Sequence, residues 1–77
     1  MMIADLFIEK TTPVAKLIDV YDQLHEGFSL KDISILCYGS VLTVTIESTD
    51  YITNDEITRK LSEDDLDRYV KDIVRRR

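Results

Sequence analysis

The chain has 77 residues, 44% of them hydrophobic and 32% charged, and its fifteen acids against ten bases leave a net charge of -5. At ~100–200 residues per domain this is a single folding unit, 1–77, and a unit of this size buries only ~60% of the surface of its unfolded chain, which excludes a large enclosed substrate cleft. One Cys excludes an internal disulfide framework and points to a reducing, cytoplasmic setting; the apolar runs are too short to span a membrane, and Asp5 and Glu9 fall where a signal peptide needs an apolar stretch.

Residues 2–9 alternate, with Ala4, Leu6 and Ile8 on one side and Asp5, Phe7 and Glu9 on the other. Period-two alternation predicts a strand with one buried face. Thr12-Pro13 then reads as a helix start, Thr as cap and Pro at the first helical position. Val14, Leu17, Ile18, Tyr21 and Leu24 follow at helical spacing, and Gly27 is a natural stop because it tolerates a left-handed conformation.

Gly39-Ser40 has the signature of a two-residue type II′ hairpin loop. Pairing Tyr38 with Val41 places Cys37/Leu42, Ile35/Val44 and Ile33/Ile46 on one apolar face. Leu36/Thr43, Ser34/Thr45 and Asp32/Glu47 fall on the other, and a one-residue slip would mix the two sets. Asp50-Tyr51-Ile52 is expected to add a short extension or an edge strand.

Thr53 and Glu56 form a capping box that opens a helix over 54–61, and Ser62 with Asp65 resembles a second, weaker box. Leu66, Tyr69, Val70, Ile73 and Val74 start a new apolar phase, which predicts a turn at Ser62 and a longer helix over 63–76. The expected fold class is therefore α+β. A small antiparallel sheet, made of the N-terminal strand and the Gly39-Ser40 hairpin, carries helices on one face in the order β-α-β-β-α-α.

Several clusters invite a chemical reading. The run Glu63-Asp64-Asp65-Asp67 has carboxylates for a divalent cation, and Arg75-Arg76-Arg77 has guanidinium groups for phosphate. On a helix over 63–76 these acids and bases would instead sit at the ends where each complements the dipole. Asp64–Arg68, Asp67–Lys71 and Asp72–Arg76 would then be i,i+4 pairs. The segment from Thr53 to Val70 has the outline of a helix-turn-helix, but the second helix would open on three carboxylates facing a polyanion, which argues against direct nucleic-acid contact. Asp22, His25 and Glu26 share one side of the first helix, a weak ligand set more simply read as solvated side chains. Cys37 has no base nearby in sequence and is expected to be a small core residue. No nucleophile–base set or phosphate loop is present in the sequence, and no catalytic residue, metal site, cofactor or small-molecule substrate is inferred.

The second sheet face is the more informative surface. Phe7, Leu36, Tyr38, Val41 and Thr43, together with Tyr51, form a half-apolar set with tyrosines suited to anchoring a contact. The expected function is a small acidic interaction or regulatory module, without catalysis, that binds a protein partner or self-associates as a homodimer. An alternative is an acidic mimic of nucleic acid, of phage or mobile-element type, that blocks a DNA- or RNA-binding protein. Residues 62–77 carry five acids and five bases, so that reading falls on Asp5, Glu9, Asp19, Asp22, Glu26, Asp32 and Glu47. A metal-dependent enzyme is a second alternative, and it needs carboxylates gathered from distant segments.

Overall fold

A computed structural model describes residues 1–76, so Arg77 of the basic tail lies outside the described residues. The elements are β1 (Met2–Glu9), α1 (Val14–Gly27), β2 (Asp32–Tyr38), β3 (Val41–Ser48), α2 (Asn54–Ser62), one 3₁₀ turn (Asp67–Tyr69) and β4 (Val70–Arg76). All pairings are antiparallel and the strand order is β2-β3-β1-β4, the order of a split βαβ arrangement. Both helices cover one face, and among the described residues no helix is long and apolar enough to cross a membrane.

Strand β1 and the hairpin follow the alternation. Met2, Ala4, Leu6 and Ile8 are buried, opposite Ser48, Ile46, Val44 and Leu42 of β3. Tyr38 pairs with Val41, Cys37 with Leu42, Ile35 with Val44 and Ile33 with Ile46. Gly39 takes a left-handed φ of 59° while Ser40 does not, as a type II′ turn requires. Asp50-Tyr51-Ile52 forms no strand; Ile52 turns inward and is 5% exposed, closing the core under the loop.

Helix α1 departs from expectation in three ways. Pro13 is the N-cap residue itself and no side chain caps the helix; Thr12 is buried and its N–H reaches Glu9 O at 3.0 Å. The buried stripe is Leu17, Val20 and Leu24, whereas Val14 and Ile18 are 71% and 51% exposed. Two apolar stripes lie side by side on this helix, and packing against α2 selects the one that continues to Gly27. There a Cβ would stand 2.6 Å from Lys60 Cε, so the bare Gly27 makes room for the Lys60 stem, and it ends the helix without a left-handed turn.

The largest correction is the C-terminal segment, which is a strand and not a second long helix. Helix α2 ends in a Schellman motif: Asp65 is left-handed (φ 58°), its N–H bonds Ser62 O at 3.1 Å, and Leu66 N–H bonds Leu61 O at 2.9 Å. Leu66 and Leu61 both enter the core, the apolar contact that usually accompanies this motif. Ser62 caps nothing; its hydroxyl donates to Arg59 O. None of the three expected i,i+4 pairs forms. Arg68 instead meets Asp65, Lys71 meets Glu9, and Arg76 meets Asp5. The misleading pattern has a physical source. A bulge at Lys71 lets Phe7 pair with Asp72 and Ile8 with Val70, and the extra residue converts a two-residue period into spacings that mimic a helix.

These packings bear directly on stability. Asp65→Gly removes the left-handed cost and should stabilise the domain by about 1 kcal/mol, read as a higher urea midpoint at unchanged slope. Leu24→Ala should destabilise it by about 2–5 kcal/mol while Ile18→Ala stays within about 0.5 kcal/mol, measured by the same denaturation.

Candidate protein-interaction surface

The shortest dimension of the molecule is 17 Å, room for the sheet and one layer of helices, so nothing among the described residues covers the second face of the sheet. Reading across the strands, the middle of that face carries Leu36, Thr43, Phe7 and Asp72. The row toward the hairpin carries Tyr38, Val41 and Glu9, and the row on the other side Ser34, Thr45, Asp5 and Val74. Tyr38 is 65% exposed, and Leu36, Val41 and Val74 are exposed as well. Phe7 is half-buried and Thr43 buried, so they form the floor rather than the rim.

An open groove of about 860 Å³ runs between the hairpin end and the β1–α1 turn. Phe7, Tyr38, Val41 and Thr43 line it, and Glu9, Lys10 and Lys71 bring charge to it. Lys71 Nζ lies 3.3 Å from Glu9 Oε1, and Lys10 Nζ donates to Gly39 O at 3.3 Å. A smaller hollow of about 170 Å³ continues past Tyr38 toward Leu36 and Arg76.

Besides Lys71–Glu9, a second ionic group stitches the face. Arg76 donates through Nε and Nη2 to the two carboxylate oxygens of Asp5 at 2.8 and 3.0 Å, and Thr45 Oγ1 donates to the same carboxylate at 2.7 Å. A two-pronged Arg–carboxylate contact is among the stronger polar pairings, and here it ties β4 to the two central strands.

Five of the six residues expected at the contact surface are thus brought together. Tyr51 is not among them. Its ring lies 5.2 Å from the guanidinium carbon of Arg75, and Arg75 pairs with the fully buried Ala4, which puts Tyr51 on the helix-bearing side. Lys10, Lys71, Val74 and Arg76 join the surface although no motif in the sequence marks them for it. The alternation of Asp72, Val74 and Arg76, and the β-branched content of Val70–Val74, are faint signals for Val74 and Arg76; none points to Lys10 or to the bulged Lys71.

The seven candidate acids do not form one field. Asp5, Glu9 and Glu47 pair with Arg76, Lys71 and Lys31. Asp32 stands opposite Glu47 at the far end of the hairpin, while Asp19, Asp22 and Glu26 lie exposed on α1. The Glu63–Asp67 run occupies the α2–β4 turn, where Glu63 meets Lys60 and Asp64 accepts from Gln23. His25 stacks on Tyr21, with ring centroids 6.3 Å apart. Among the described residues no group of three or more His, Cys, Asp or Glu converges as a metal site would require. Cys37 is exposed rather than a core residue, because β2 is an edge strand whose hairpin end extends beyond the cover of the helices.

The chain matches no protein-family model, no curated protein and no solved structure. The strand order alone is shared with folds that host many functions and carries no functional inference.

Among the described residues one ionisable group is clearly perturbed. The Thr53 backbone N–H, and then its hydroxyl, hold the Glu56 carboxyl below the usual Glu range, with Arg59 and Arg75 adding to the effect. A carboxyl depressed on folding contributes stability above its unfolded pKa, and that contribution is lost as pH falls through the folded value. Urea midpoints should therefore fall between about pH 5 and pH 3, and Glu56→Gln should flatten part of that fall while keeping an amide that still accepts from Thr53. Arg76→Ala should release β4 selectively, seen as faster hydrogen exchange at Val74 than at the β2–β3 pairs.

Proposed function

We propose that this chain is a non-catalytic protein-binding module that takes a segment of its partner onto the uncovered sheet face. The observation that carries the reading is the groove between Phe7, Tyr38 and Val41, bounded by large apolar side chains left exposed on a face without helices. Tyrosine supplies area and a hydroxyl at little entropic cost, which is why it recurs as an anchor in interfaces. The polar atoms of the surface are already engaged with one another, as in Lys71–Glu9 and Asp5–Arg76–Thr45. That arrangement suits docking better than proton transfer.

The groove takes an apolar anchor side chain against Phe7 and Tyr38, and its two amines against one carboxylate favour an acidic residue beside that anchor. We place the module in the cytoplasm, where the exposed thiol of Cys37 would remain reduced.

Selection of random peptides against the immobilised chain tests this. The expected outcome is enrichment of peptides with a large apolar residue next to Asp or Glu, with binding weakened at least about tenfold by Tyr38→Ala or Val41→Lys. No enrichment, or binding indifferent to both substitutions, would overturn it. Competition of binding by duplex DNA, with affinity falling steeply as salt rises, would favour the acidic-mimic reading instead.

A further inference from the structure

The two edges of the sheet are built differently. β4 carries Lys71, Asp72, Arg75 and Arg76 along its seven residues and a bulge at Lys71, features that discourage another strand from pairing. Beyond Asp32, β2 has none of these guards. Between Ile33 and Tyr38 it has no charged residue, no Pro and no Gly, and its register with β3 is unbroken.

The main chain of β2 has a defined pattern along that edge. The two-residue turn makes Tyr38–Val41 a pair that exchanges both hydrogen bonds, and antiparallel alternation makes Leu36–Thr43 and Ser34–Thr45 the next such pairs. The N–H and C=O groups of Ile33, Ile35 and Cys37 therefore point away from the sheet, where no further strand lies among the described residues. Their side chains fall on the helix-bearing face. Ile33 and Ile35 are only half-buried there and Cys37 is exposed, so the core is open at the same edge.

We propose that β2 is a strand-addition edge and that its occupant is β2 of a second copy, running antiparallel about a two-fold axis through Ile35. The outward groups at residues 33, 35 and 37 are symmetric about that residue. In this register Ile35 exchanges hydrogen bonds with Ile35 of the second copy, and Ile33 with its Cys37. Between them Ser34 stands opposite Leu36, and at the ends Asp32 stands opposite Tyr38, so no like charges face each other. An axis perpendicular to the sheet keeps the faces in common. The Ile33, Ile35 and Cys37 ladders of both copies then extend one apolar layer beneath the helices, and such self-complementarity is what a two-fold contact requires. The groove around Phe7 and Val41 lies on the opposite face, so this association is independent of the partner site.

Amide hydrogen exchange followed residue by residue over a range of protein concentrations, with sedimentation equilibrium on the same samples, tests the proposal. The expected result is a doubled mass at high concentration, with protection of the Ile33, Ile35 and Cys37 amides rising at least about tenfold as the dimer forms. Ser34 and Leu36 should be protected throughout. Ile35→Pro removes one outward donor at an edge position and should leave a folded monomer, whereas Val41→Lys, which alters the groove, should remain dimeric. A monomer at all concentrations with those three amides exchanging freely would overturn the proposal, and so would a dimer in which they stay unprotected. If Ile35→Pro does not fold, the exchange pattern of the unaltered chain still separates these outcomes.

Discussion

Strand β1 has to be paired along both edges. Its Ala4, Leu6 and Ile8 are fully buried, and a main chain held that deep cannot leave its N–H and C=O groups to water. β3 satisfies one edge, and the other stays open until the C-terminal segment returns as β4. The Schellman turn at Asp65, the core position of Leu66 and the clasp of Arg76 on Asp5 all serve that return.

Recruiting the C-terminus into the sheet settles the disposition of the surfaces. A second long helix would have been free to cover more of the sheet, but a fourth strand widens it instead. The two helices suffice for one face only, and the other keeps Tyr38, Leu36, Val41 and Val74 in solvent. β2 is a margin whether or not β4 joins, and it has no bulge or charge between Ile33 and Tyr38, while β4 at the other margin has both.

Much of this is legible along the chain, and the reason differs from element to element. β1 and the Gly39-Ser40 hairpin can be read to the residue because their apolar sets share a two-residue period and a turn that admits one register. The Thr53–Glu56 capping box is a local hydrogen-bonded loop of four residues and needs no tertiary support to be recognised. Residues 66–76 are not legible in this way. Val70, Ile73 and Val74 match a helical stripe only because Lys71 is an extra residue in the pairing with β1, and pairing partners far apart in sequence leave no local mark. The candidate surface inherits both outcomes. Phe7, Leu36, Tyr38, Val41 and Thr43 lie on strands with clear alternation, whereas Lys71, Val74 and Arg76 are hidden with β4. Tyr51 lies in a loop that no strand pairing fixes, and its ring meets Arg75 of that strand.

By itself, then, the sequence determined what depends on near neighbours: one strand, one hairpin with its register, two helix locations and a chain break after α2. Local sterics and short-range hydrogen bonds are sufficient to specify those. Tertiary structure alone decided which stripe of α1 turns inward, that the Lys60 stem lies over Gly27, and whether Val70–Arg76 is helix or strand. Each of those choices depends on contact with a segment distant in sequence, where burial and backbone pairing outweigh the modest differences in intrinsic propensity.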